Sequence, residues 1–166
     1  MLFKNYLHRG RSKKSTYPEG WILDFHRTLQ RTSRHPEVLR MKYYTHHGKT
    51  SCYDHCRHVA FFNYMWARRF KLDHISAARA GMLHDLFLYD WHTHARETGE
   101  RLHGLTHPKT ALLNARRHFR LNHIEQDTIL NHMWPVTFFH FPRTKEGWLI
   151  VLSDKYCSLL ETLRLL

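Results

Sequence analysis

Acidic residues, helix breakers, cysteine and long apolar runs are all scarce in this chain, and each shortage removes a class of protein. Asp and Glu number 14 against 26 Lys and Arg, giving a formal charge of +12 with His neutral. An electropositive field of that size attracts anions such as nucleotides, nucleic acids or acidic membranes. Gly and Pro number only 7 and 5. So few breakers argue against a many-turned sheet protein and for long helices. The three cysteines, Cys52, Cys56 and Cys157, are odd in number and lack paired spacing. That excludes a disulfide framework and fits buried thiols in a reducing cytoplasm. No stretch approaches the roughly 18 apolar residues that read as a bilayer span. The opening MLFKNYLHRGRSKKSTYPEG is basic but has no apolar core of a secretory signal. It reads as a basic arm over residues 1–20, followed by a single domain over 21–166.

Histidine is abundant, with 17 residues, and the question is which of them one ion could gather. Apolar periodicity predicts a first short helix from Trp21 to Gln30 and a second from Glu37 to Tyr44. HHGKTS is a break, with Thr50 or Ser51 able to cap the next helix. That third helix runs from Cys52 to Phe70 with an apolar stripe of Val59, Phe62, Trp66 and Phe70, which extends back one turn to His55. Asp73 caps a fourth, His74 to Leu86, on which Ala78, Gly81, Met82 and Asp85 share a face. The following stretch from Phe87 to Leu105 is looser. Thr106 is expected to cap a fifth helix, His107 to Phe119, with Pro108 in its first turn. Asn122, with Glu125 three later, forms a capping box for a sixth, which brings Ile129 and His132 to one face and ends at Pro135. The last helix, Lys145 to Leu163, embeds Asp154 between apolar turns.

Five elements thus carry His or Asp on or beside an inward face: His55, the pair His84–Asp85, His107, His132 and Asp154. A lone inward His is usually a hydrogen-bonded core residue, but a carboxylate in an apolar setting must be paired or coordinated. One divalent-metal site accounts for the whole set, because imidazole and carboxylate suit Fe, Mn, Zn, Co or Ni without thiolate, with Mg also admissible. His103, four residues before His107, shares its direction and is the alternative ligand; the place of His107 before Pro108 favours it.

The ordered pattern H…HD…H…H…D resembles the HD superfamily of metal-dependent phosphohydrolases. The resemblance rests on DHCRHVAFFNY, AARAGMLHDLF, THPKTALLNA, ILNHMW and LSDKYCSLLE, and spans about Lys49 to Leu163. It implies an all-α, HD-domain-like bundle of six to eight helices. It also implies that His55, His84, Asp85 and Asp154 hold a first metal, and that Asp85 bridges to a second completed by His107 and His132. The two additional histidines are similar to the dinuclear branches, which include dinucleoside tetraphosphate hydrolases and cyclic dinucleotide phosphodiesterases. The implied activity is hydrolysis of a phosphoester or phosphoanhydride of an anionic phosphorylated small molecule, a nucleotide by preference. Asp85, Lys109 and Lys155 are the catalytic candidates, the two lysines as phosphate contacts. Arg143 is a weaker candidate to cover the pocket, Asp90 and His92 to give or take a proton, and Tyr89, Trp91 and Trp134 to stack on a base.

Two departures narrow this expectation. Many relatives continue after the doublet with Ile-Gly-Lys, whereas this chain continues LFLYDWH, losing a phosphate-reaching Lys. The Gly-Tyr-Pro signature of the cyclic dinucleotide branch is absent, which demotes that substrate. A non-catalytic nucleotide- or metal-binding module is the alternative from another class. A basic nucleic-acid binder is disfavoured because the cations are scattered, their densest cluster being Arg9 to Lys14. No membrane association is expected, and a homodimer is compatible.

Overall fold

The computed structural model describes residues 17–46, 49–90, 99 and 103–166, with only the backbone of His103. Among these, seven α-helices and no strand occur: α1 (Glu19–Ser33), α2 (Pro36–Arg40), α3 (Cys52–Arg69), α4 (His74–Leu83), α5 (His103–His118), α6 (His123–Asn131) and α7 (Lys145–Thr162). A 3-10 turn, Met41–Tyr43, continues α2, and an isolated bridge pairs Thr45 with Ser51. The expected all-α bundle is what forms. No helix among the described residues is long and apolar enough to cross a membrane.

Side-chain caps fix where the helices begin. Ser51 accepts from the Asp54 amide, Asp73 from that of Ser76, and Thr144 from that of Gly147. Asn122 and Glu125 form both halves of a capping box. Each cap satisfies an otherwise orphaned N–H and contributes on the order of 1 kcal/mol. The core lies where α3, the central helix, meets α1, α4 and α7. Phe25, Phe61, Tyr64, Met65, Met82, Leu83, Leu86 and Ile129 are all but excluded from solvent there. Cys52, Cys56 and Cys157 are free and buried, as expected of structural thiols.

Several boundaries differ from expectation. Helix α1 begins before Trp21, so Glu19 and Gly20 belong to its first turn rather than to the basic arm, and Pro18 precedes them as N-cap. Residues 1–16 of the arm lie outside the described residues. Helix α4 stops at Leu83 rather than Leu86, because the His84 ring takes the Gly81 carbonyl and the chain tightens through Leu86 N–Leu83 O and Phe87 N–Asp85 O bonds. Helix α5 begins at His103, so Thr106 is not its cap and Pro108 lies inside it. The burial of His107, Pro108, Ala111 and Leu112 on one face offsets the single backbone bond the proline forgoes.

One close approach sets the α3–α4 spacing. A Cβ on Gly81 would stand 2.7 Å from Ala60 Cα and 3.0 Å from its amide nitrogen. Since the obstacle is backbone, Gly81→Ala must push the helices apart. The expected loss is about 1–3 kcal/mol in urea unfolding, with weakened metal binding because His84 follows one turn later. Unchanged unfolding and binding would contradict this spacing.

Candidate metal centre

The structure gathers the six predicted ligand residues in one cluster centred on Asp85. His84 is the C-cap of α4 and Asp85 is the next residue, in the turn beyond; His132 is likewise the C-cap of α6. His55 comes from the first turn of α3, His107 from α5 and Asp154 from the middle of α7. All six are buried, His55 and His84 completely. The carboxyl ends of α4 and α6 thus converge on the cluster, and their partial negative charge favours a cation.

The two oxygens of Asp85 face different imidazoles. Oδ1 lies 3.2 Å from His107 Nε2 and 3.5 Å from His132 Nε2. Oδ2 lies 3.4 Å from His84 Nε2 and 4.0 Å from His55 Nε2. Asp154 Oδ1 completes that second side, 3.1 Å from His55 Nε2 and 3.8 Å from His84 Nε2. Of the two candidates near the start of α5, His107 is therefore placed against Asp85, and the side chain of His103 lies outside the described residues.

Hydrogen bonds on the far side of three rings set which nitrogen faces inward. His84 Nδ1–H donates to the Gly81 carbonyl at 2.8 Å, and His132 Nδ1–H to that of Ile129 at 2.8 Å. Both carbonyls are helix C-terminal groups that would otherwise lack an intrahelical partner. His55 Nδ1–H donates to Glu161 Oε2 at 2.9 Å, and the other oxygen of Glu161 accepts from His58 Nδ1 at 2.8 Å. In the neutral tautomer each ring then turns an Nε2 lone pair inward.

That arrangement is what a metal requires and what a proton-only network handles poorly. His132 Nε2 and His107 Nε2 stand 2.9 Å apart beside Asp85 Oδ1. His84 Nε2 and Asp85 Oδ1 are buried without a hydrogen bond of good geometry among the described residues. Acceptors facing acceptors at such distances need either extra protons or a shared cation. The donors form overlapping sets of suitable closeness: His55–His84–Asp154, His84–Asp85–His132 and His46–His55–Asp85. Imidazole and carboxylate groups fit a divalent ion. A further set contains Cys52 and Cys56 with Asp85. It is a poorer candidate: burial pushes both thiols up, away from the thiolate that binds metal, and Cys52 Sγ–H donates to the Asp85 carbonyl at 3.4 Å.

Without an ion, the charges are polarised. Burial alone would lower His55, but Asp154 and Glu161 outweigh it and raise it well above the usual imidazole range. His84 is raised too, burial being overcome chiefly by the charge of Asp85. Burial would raise Asp85, yet His84, His107 and His132 hold it well below the usual carboxylate range. Asp154 is depressed in the same way by His55, and Glu161 is lowered to about 2 by His55 and His58 against the effect of burial.

Three participants were not anticipated as parts of the site. His46 reaches it from the HHGKTS break, which offers no helical spacing to read. Glu161 and His58 had a usable signal, since Glu161 follows Asp154 by two helical turns and His58 follows His55 by one. Of the other candidates, Lys109 and Lys155 are exposed; burial of its ammonium lowers Lys155, and the charge of Asp154 opposes that. Lys109 lines a groove of about 390 Å³ with Leu105, Leu112 and His140, and Arg143 lines a neighbouring one of about 380 Å³. Trp134 packs edge-on against Trp148, and Tyr89 lies tilted against Phe87. Asp90 is partly buried, and Trp91 and His92 lie outside the described residues. No protein-family model, curated protein or solved structure matches the chain.

The Glu161 bridge carries a direct prediction. Glu161→Gln keeps the shape but removes the charge that orients His55, so metal affinity should drop about tenfold to a hundredfold. Metal titration against a chelating dye measures it; an unchanged affinity would show that Glu161 has no part in holding His55.

Proposed function

We propose that this chain is a metal-dependent phosphohydrolase of the HD type, cleaving a phosphoester or phosphoanhydride of a nucleotide-like anion. One observation carries the reading: a buried carboxylate, Asp85, directs its two oxygens at two separate groups of inward-facing imidazoles. The chain order of those residues is the H…HD…H…H…D order of the superfamily.

In this reading His55, His84, Asp85 and Asp154 would hold one divalent ion, and Asp85, His107 and His132 would hold a second. Bound divalent ions supply a water nucleophile at neutral pH and a counter-charge for phosphoryl oxygens. The protein's share is orientation. The Gly81 and Ile129 carbonyls and Glu161 fix the rings of His84, His132 and His55, so the donors need no rearrangement when charge builds on the substrate. Lys109 and Lys155, each next to a ligand-bearing turn, are the proposed phosphate contacts, and the +12 charge draws an anionic substrate toward the centre.

The test is elemental analysis of the purified chain together with hydrolysis of a generic phosphodiester and a panel of nucleotides. About one to two divalent ions per chain with metal-dependent turnover supports the reading. No bound metal, and no turnover after supplying Mn, Fe, Co, Ni, Zn or Mg, removes it. Saturable nucleotide binding without turnover would instead identify a non-catalytic module.

A further inference from the structure

We propose that His46, on the loop before α3, is a direct ligand of this centre on the Asp85 Oδ2 side. The inference rests on the metal-centre reading above and adds a residue to it.

The geometry puts His46 in line with the other donors. Its Nε2 lies 3.2 Å from Asp85 Oδ2, nearer than either His84 or His55 comes to that oxygen. Its ring centre stands 4.3 Å from that of His55. The side chain is only 11% exposed, unusual for a residue on a loop, and it forms one of the donor sets close enough to share an ion. The loop is fastened on both sides of the histidine: His46 N donates to the Thr50 carbonyl at 2.8 Å, and Cys52 N to that of Tyr44 at 2.8 Å. The backbone is therefore held in place independently of the imidazole.

Counting donors by side gives the consequence. The Oδ2 side of Asp85 is faced by His46, His55 and His84, and Asp154 stands behind them. With Asp85 itself this makes five protein donors, which nearly fills the roughly six positions of an octahedral first-row ion. The Oδ1 side is faced by His107 and His132. With Asp85 this makes three protein donors among the described residues. An ion on the first side is then mainly enclosed by protein donors.

The experiment uses the whole chain loaded with cobalt(II), read by visible absorption and by competition with a chelating dye. His46→Ala should weaken one ion by about tenfold to a hundredfold or more. It should also intensify the cobalt bands as the coordination number drops, and added imidazole should reverse the change. His46→Gln can still hydrogen-bond Asp85 but offers no imidazole nitrogen, so it should resemble His46→Ala; it carries the test alone if the alanine variant fails to fold. Wild-type affinity and spectrum in both variants, or in the glutamine variant alone, would overturn the assignment and leave His46 as a hydrogen-bond partner of Asp85. A wild-type chain that binds no cobalt would instead remove the metal-centre reading itself.

Discussion

Asp85→Ala should strip the centre of its metal and reduce any metal-dependent hydrolysis by at least about a thousandfold, since losing a single oxyanion donor elsewhere costs about 10²–10³. Among the described ligand candidates, Asp85 stands between two sets of inward-facing imidazoles, His107 and His132 at one oxygen, His46 and His84 at the other. Removing it therefore affects every position an ion could take, whereas removing His107 or Asp154 leaves one side intact. Asp85→Asn separates ligand loss from cavity formation. It keeps the volume and an acceptor oxygen while removing the charge, and it should lose metal nearly as completely. Elemental analysis of both variants checks this. Full metal content in Asp85→Ala would mean that Asp85 balances the charge of the buried histidines and holds no ion.

What made Asp85 readable in the sequence was helical spacing: a carboxylate in register with Ala78 and Gly81 must face inward. The same rule places His55, Asp154 and His132. It reads direction well and termination poorly. His84 and His132 were expected within helices, yet both are C-caps, because each ring captures the carbonyl three residues back. That competition between side chain and backbone has no periodic signature. Helix α5 shows the opposite error. Pro108 marks the first turn of a helix when only local chemistry is weighed, and the helix instead begins about one turn before His107, with His107 and Ala111 buried. His46 was illegible for a different reason. A loop residue's direction depends on what fastens the loop, and here that is the Thr45–Ser51 pairing and the Cys52–Tyr44 bond, both between residues that look unremarkable in sequence.

Stability should respond to pH in opposite directions with and without metal. In the metal-free chain, His55 and His84 are raised above their ordinary value of 6.5. Their contribution is fully present below 6.5 and is lost as the pH climbs through their folded-state values. Asp85 and Asp154 are depressed below 3.8, and Glu161 from 4.5 to about 2. Their contribution is present above those ordinary values and is lost as the pH falls through the depressed ones. The metal-free protein should therefore be most stable between about pH 4.5 and 6.5 and weaken on either side. A bound divalent ion takes the place of the protons on the imidazoles, so binding releases protons and tightens as the pH rises. At a free metal concentration about 100 times Kd the ion adds about 2.7 kcal/mol per site. That corresponds to roughly 5–10 °C in melting temperature for a chain of this size. Thermal melts in chelator and in manganese, from pH 5 to pH 9, should show that increment widening with pH while the chelated baseline declines above neutrality. An increment of constant size, or one largest at pH 5, would mean that the imidazoles keep their protons and that no ion sits among them.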